Sequence, residues 1–386
     1  MKPEVAILSI KGSYAVDALV AQGDFTFRSV DAARLDLGDY TCPYGFPPVD
    51  RGRSLLLVSG WLKRLEAHGI PVVPVVERLR KRFDRIIGLD QMAATALDIP
   101  DEVLDHLDVV LKVNGVFKDR ELYRYPVGSL SRSGVWSGKA GPQRFAYKRE
   151  NLDKVQLSLP CFVANIPALR RRTRKLYGQP WGGRRLRAAA DVGLSALGAL
   201  TRTRVPRRAA HFLGALTHPQ RADAVRLLKS SGLDWSGGIT DIPPGTPFFP
   251  QAELVELGRQ LEAEGLRVPR QNRVSYTLGI LDCKAVVSIT GIGEVCFRMA
   301  EAWAMHRILV CQDLTQIECL FPLIPGENVL YCKPDLTDLE ALVRRVEQDY
   351  SGHQAIARNG YRSWQAWCAA RTEVVRLGFA PLYALG

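Results

Sequence analysis

Several features that would settle the class of this chain at once are missing. No apolar run approaches the roughly 18–20 residues that a membrane-spanning helix requires. The eight cysteines contain no Cys-x-x-Cys pair, which argues against a structural zinc site and leaves scattered, reduced thiols acting mostly as small buried hydrophobes. Met1 leads almost directly into a strand-like run. The basic start, apolar stretch and cleavage site of a signal peptide are not seen, and the expectation is a cytoplasmic protein. Nor is the composition that of a disordered or fibrous chain. With 47% hydrophobic and 24% charged residues over 386 positions, it is an ordinary globular make-up, long enough for two domains of about 150–200 residues.

Acidic residues are short in one place only. The formal charge is +12, and twelve Lys and Arg between Arg170 and Arg208 stand against the single acid Asp191. That segment therefore carries +11 and the remainder +1. The excess belongs to one stretch and does not make the protein basic throughout. Within it, Arg187 to Thr201 has small apolar residues at helical intervals. Two readings fit: a solvated linker with a helix, or a patch for an anionic membrane surface and a peripheral position at the inner membrane face. A nucleic-acid partner is the least supported, because neither interleaved aromatics nor a zinc motif accompanies the charge.

Along the chain, short apolar runs alternate with helical spacing. Val5 to Val20 reads as a buried strand, a glycine turn and a helix; Ser54 to Gly60, Ile70 to Val76, Asp84 to Asp90 and Asp108 to Val113 read as further strands. Trp61 to Gly69 reads as a helix that stops at glycine. Strands rich in Val, Ile and Leu on both faces point to a mostly parallel sheet covered by helices. Residues 119–150 are polar and rich in Gly and Ser, a surface loop region. A second α/β half opens at Ala210 to Leu216, followed by a helix with Ala222, Val225 and Leu228 on one face. Helix, strand, helix, strand, strand and helix then follow from Ser275 to Tyr350, and the tail from His353 reads as helical. The fold class expected is α/β, with two Rossmann-like domains facing one cleft. The boundaries are 1–169, a basic linker or amphipathic segment at 170–208, 209–352, and carboxy-terminal helices at 353–386 that pack back on the first domain.

The most informative stretch is Ala285 to Trp303. A buried strand runs into Thr290-Gly291-Ile292-Gly293, and a helix is expected to start at or near Glu294. Glycines at such a junction let backbone N–H groups approach a phosphate, which a helix N-terminus also favours. Arg298 and Glu301 lie three apart and project from one helix face. A guanidinium there can grip a diphosphate, and a carboxylate one turn on can accept from ribose hydroxyls. Spacing alone also permits a plain i,i+3 surface ion pair.

This stretch resembles the donor-binding half of GT-B glycosyltransferases, closest to the exostosin-like and spore-coat-type branches. The residues that carry the likeness are Tyr276, the helix and strand from Leu278 to Ile289, Gly291, Arg298-Met299-Ala300-Glu301-Ala302, the Met305-His306 turn and the strand Ile308-Leu309-Val310. Glu327 to Val343 and the strand, Gly214 and Arg221 element extend it, so that it covers about residues 208–365. The resemblance implies a transferase that uses a nucleotide-diphosphate sugar as donor substrate and otherwise no cofactor. The acceptor would be a hydroxyl of a glycan, a glycolipid or another lipid-linked, envelope-related molecule. It places Arg298 on the pyrophosphate, Glu301 on the ribose, and Gly291 and Gly293 beneath the phosphates. Tyr276 and Arg273 are further donor-side candidates, and Arg221 is a weaker one. Glu294 stands where the first glutamate of many retaining relatives would hold the donor sugar, but six residues separate it from Glu301 where those relatives have seven, which leaves the stereochemical course open.

No Asp-x-Asp motif of a metal-dependent transferase is present, so no essential divalent ion is expected. For an inverting reaction the base would come from the amino-terminal domain. Asp90, at the carboxyl end of its strand, is the best placed, with Asp17, His68 and Lys11 as competitors. Two alternatives stand beside this: a non-catalytic GT-B-fold binding protein docking on a membrane or polyanion, and a nucleotide-sugar epimerase. The Thr-Gly-Ile-Gly-Glu junction differs from the Ser-Gly-Gly of the epimerases and weighs against the latter.

Overall fold

The computed structural model describes residues 2–9, 13–31, 44–92, 95–124, 146–161, 205–242 and 251–384. Lys11, most of the 119–150 loop region and all of the basic segment before Val205 lie outside them, as does the helix expected over Arg187–Thr201.

The amino-terminal half contributes β1 (Glu4–Leu8), β2 (Thr26–Val30), β3 (Pro48–Val49), β4 (Gly52–Val58), β5 (Phe83–Asp90), β6 (Val109–Lys112), β7 (Val116–Phe117) and β8 (Val155–Leu157). Seven of these form one sheet in the order β3-β2-β1-β4-β5-β6-β8, and every neighbouring pair is parallel. Leu55, Leu56, Leu57 and Val58 are all fully buried. Apolar residues in succession bury both faces of β4, so helices must cover the sheet on both sides.

The second half builds β9 (Arg208–Gly214), β10 (Trp235–Ile239), β11 (Cys283–Ser288), β12 (Ile308–Gln312), β13 (Ile317–Glu318) and β14 (Leu330–Cys332). Five of them form a parallel sheet in the order β10-β9-β11-β12-β14. The architecture is therefore α/β with two Rossmann-like domains, as the alternation of apolar runs and helical spacing expects. The sixth strand, β13, leaves its own domain and pairs antiparallel with β7 of the other, Ile317 opposite Phe117.

Local chemistry fixes the helix ends. Ser13 caps the helix Tyr14–Gln22 through Val16 N–H at 3.3 Å, and Gly23 ends it at φ 77°. Asn272 caps the helix Arg273–Leu281 by accepting from Ser275 N–H at 2.9 Å. Ala222, Val225 and Leu228 line the buried face of the helix Gln220–Ser230.

Three expectations need correction. Ile70 to Val76 is not a strand: the helix Val72–Arg80 begins after Pro71. Its apolar run is too short to distinguish the two periods, and the helical one emerges only further on, with Val72, Val75, Val76 and Leu79 buried. Pro74 sits in the first turn, where its missing N–H is no loss. The helix expected from Glu294 starts three residues later, at Phe297, after Cys296 in extended geometry. Third, β2, β8 and β10 went unread. In β10 the glycines Gly237 and Gly238, at φ 108° and 147°, mask the strand signal.

The helix Tyr350–Ala369 lies against the helix Phe297–Ala304 of the second domain, with Gly360 over the Trp303 indole. Trp303 in turn donates to Asn328 O at 2.9 Å and packs on Phe321, which meets Trp367. The helices Arg371–Gly378 and Ala380–Tyr383 lie against the first domain. Gln22 donates to Thr372 at 3.0 Å, Tyr383 and Arg376 hold Asp24, and Ser158 donates to Gly378 O.

A β-carbon at Gly360 would stand 2.5 Å from Trp303 Cδ1. Gly360→Val should therefore destabilise the fold by about 1–3 kcal/mol through overpacking, read as a lower urea midpoint with Arg362→Ala, at an exposed position of the same helix, as comparison.

Candidate functional site

The site grows from the carboxyl ends of β9 and β11. Beyond β9 the chain runs through Ala215 and Thr217 into the helix that carries Arg221, and beyond β11 it enters the loop Ile289–Cys296. Arg221 is 8% exposed and fully engaged with backbone: Nε donates to Thr290 O at 3.2 Å, Nη1 to Ala215 O at 2.9 Å and Nη2 to Ile289 O at 3.1 Å. Arg298, also 8% exposed, donates from Nη2 to Leu213 O and stands 4.8 Å over the Phe212 ring. Its Nε and Nη1 are buried with no hydrogen-bond partner among the described residues. Neither arginine forms an ion pair among the described residues.

Two glycines make this meeting of guanidinium groups possible. A β-carbon on Gly214 would lie 2.8 Å from Arg298 Nη2 and 3.4 Å from Arg221 Nη1. On Gly291 it would collide with Arg221 Nη2 and come within 2.6 Å of Thr217 Oγ1. The Thr217 hydroxyl is itself buried without a hydrogen-bond partner among the described residues. Burial, with Arg298 alongside, pulls the Arg221 guanidinium down to about 10, so it remains cationic at neutral pH. Two positive charges side by side, with a hydroxyl and N–H groups that have no partner among the described residues, have the chemistry that suits a polyanion.

Around the arginines stand two imidazoles held neutral. His211 is pushed down to about 4 by burial first and then by Arg298; its Nδ1 lies 2.9 Å from Ser236 Oγ. His218 falls to about 3 for the same reasons, with Arg221 as the charge. Glu301 does not pair with Arg298. It accepts instead from the Tyr276 hydroxyl at 2.7 Å, and burial followed by Glu301 lifts the Tyr276 phenol well above its usual value, so it stays a donor.

Arg221, Thr217 and Gly293 open on a cavity of about 310 Å³ between the two domains. Its other side is formed by the amino-terminal domain, where Tyr14 meets Phe297 edge-on across the gap at 5.4 Å.

No protein-family model and no curated protein sequence matches the chain. Solved structures do. Sucrose-phosphate synthase from Thermosynechococcus elongatus superposes with a TM-score of 0.51 at 13% identity, covering 100% of both chains. Anabaena HepE, in a complex with UDP, gives 0.51 at 11% identity over 100% of this chain and 99% of its own. The fold is GT-B. At these identities the likeness concerns the arrangement of the chain, two Rossmann-like domains facing each other over a gap.

Within the GT-B frame the residues singled out by sequence part company. Arg298 and Gly291 come together with Arg221, which the sequence ranked lowest. Gly293 lines the cavity. Gly291 does not present a free N–H to a ligand, since its N–H donates to Gly293 O at 3.2 Å; its part is steric. Glu294 is turned away to the other domain. It is 2% exposed and accepts from both the N–H and the hydroxyl of Thr95, each at 2.8 Å. Arg273 is exposed at the first position of its helix and outside the cavity lining.

Asp90 is wholly buried and does not line the cavity. One oxygen accepts from Met92 N–H at 2.9 Å, the other from Asp98 N–H at 2.5 Å, and Lys112, equally buried, lies 3.5 Å away. A strand-end carboxylate in this setting organises the loop that follows it and offers no oxygen to an acceptor. Asp17 is buried and bonded by the Tyr44 hydroxyl, and His68 is the exposed residue after the helix Ser59–Ala67. The signal that could have raised Arg221 is positional: it occupies the first place of a row, 221, 225 and 228, whose other members are fully buried and apolar.

The two imidazoles set a pH dependence. Their folded values lie below the unfolded value near 6.5, so on acidification the unfolded chain binds protons that the fold refuses. Stability is complete above about pH 6.5 and is lost as pH falls toward 4. A urea midpoint that declines over pH 6.5–4, with a shallower decline in His211→Gln, is the expected result.

Proposed function

We propose that this protein is a glycosyltransferase that moves a sugar from a nucleotide-diphosphate sugar to a hydroxyl of a glycan, glycolipid or other lipid-linked acceptor. The observation that carries this is a pair of buried guanidinium groups at the carboxyl edge of a parallel sheet, without an acidic partner among the described residues, of which Arg221 lines the interdomain cavity and Arg298 stands behind it. Open α/β sheets bind ligands at that edge, and a diphosphate is the anion that two adjacent arginines suit. Arg298 Nε and Nη1, with Arg221 and Thr217, hold the diphosphate, while Glu301, oriented by Tyr276, accepts from ribose hydroxyls. The acceptor oxygen bonds to the anomeric carbon as the bond from that carbon to the diphosphate breaks. The electron pair leaves with the diphosphate, and the hydroxyl proton is released to solvent. Preorganised cations aimed at the departing charge lower the barrier without a divalent ion. Asp90 and Lys112 act at one remove, through the loop that Asp90 holds.

The basic segment 170–208 would bring the enzyme to an anionic membrane surface. No helix among the described residues is long and apolar enough to cross a membrane. One observation favours the non-catalytic reading as well: among the described residues, no carboxylate or imidazole lines the cavity.

Transfer or hydrolysis of a donor separates the two. UDP, GDP, CMP, ADP and dTDP are screened by thermal shift, since a ligand that binds only the folded state raises the midpoint by mass action. The matching sugar nucleotide is then assayed. Arg298→Ala should lower kcat/KM by about 10²–10³-fold, Glu301→Ala should raise KM, and EDTA should change nothing. Nucleotide binding with no turnover of any sugar nucleotide would leave the binding protein in place of the enzyme.

A further inference from the structure

The interdomain cavity has two unlike walls. The carboxy-terminal domain supplies Arg221, Thr217 and Gly293, the diphosphate side, together with Ile292, Val295 and Phe297. The amino-terminal wall, where the acceptor would stand, is largely apolar, with the Tyr14 ring, Val113, Leu159 and Pro160. Tyr14 is 48% exposed and crosses the gap to Phe297 with ring planes at 79°, so two aromatic edges from opposite domains flank one side of the cavity.

Among the described residues, the polar side chains longer than a thiol on the amino-terminal wall are those of Tyr14, Gln91 and Asn114, and the last two are turned to the protein. Gln91 donates its amide to Ser13 Oγ and its backbone N–H to Ser59 Oγ at 3.0 Å. Asn114, held at φ 70°, accepts from Cys161 N–H at 2.5 Å. A sugar unit against this wall would bury several hydroxyls against carbon, with few groups besides the Tyr14 hydroxyl to replace their water. An apolar body would gain from the same walls.

We infer that the acceptor carries its reacting hydroxyl on an apolar body, either a hydroxylated ring or a hydrocarbon chain, and not on a polyol. This rests on the glycosyltransferase reading and chooses among its acceptors: the lipid-linked or aglycone class over the free glycan. The volume of about 310 Å³ holds the portion next to the hydroxyl, one or two rings or a comparable length of chain.

The test titrates the full chain with 4-methylumbelliferone as ring probe, n-decanol as chain probe and maltose as polyol, each with and without saturating UDP. At least one apolar probe should bind at least 100-fold more tightly than maltose, and which of the two does so tells ring from chain. Tyr14→Ala should weaken that binding about tenfold and Tyr14→Phe should restore it, while UDP affinity stays within twofold in both variants. Maltose binding as well as either apolar probe, or neither apolar probe binding at millimolar concentration, overturns the inference. UDP failing to bind the wild-type chain counts against the nucleotide-sugar reading separately, whatever the probes do.

Discussion

The structure turns on a repulsion it does not relieve. Arg221 and Arg298 are buried together beside Gly214, with no carboxylate among the described residues to neutralise them. What holds them is backbone: the carbonyl oxygens of Leu213 and Ala215 at the end of β9, and those of Ile289 and Thr290 beyond β11. Carbonyl dipoles at the ends of parallel strands lower the cost of desolvating a cation without cancelling its charge. The pair therefore stays charged, rigid and short of an anion.

The second constraint is that the gap beside these arginines has a set width. Glu294 leaves the glycine loop to accept twice from Thr95, β13 pairs with β7, and the terminal helices bind Asp24, Gln22 and Ser158. These ties come from three separate stretches of the second half and land on different parts of the first. Beneath the Thr95 loop, Asp90 and Lys112 form a pair with no exposure at all. Burial pulls the Lys112 amine down while the Asp90 carboxylate opposes the shift. Breaking such a pair leaves an isolated charge in the interior, so the loop that meets Glu294 rests on a support that tolerates little change.

Much of the fold was legible. The apolar runs of β1, β4, β5 and β6 and the helix stops at glycine describe a parallel sheet because burial on both faces leaves no polar alternation. Ile70 to Val76 was misread since seven residues contain less than two helical turns. In the site, Arg298, Glu301 and Gly291 were visible as a spaced group on one segment. Arg221 was not given its weight, because nothing along the chain says that residue 221 and residue 298 share a wall. Asp90 and Glu294 were misjudged for one reason: a carboxylate at a strand or loop end looks alike whether it faces a cleft or folds inward on Thr95 or Lys112.

The order of residues alone determined the periodicities, the caps, the location of the excess positive charge, and hence the class of fold, since these depend on near neighbours in the chain. Which polar groups find partners was decided only in three dimensions. A hydrogen bond or an ion pair depends on distances between residues hundreds of positions apart, and those distances exist only after both sheets have packed and the last helices have closed over the first domain.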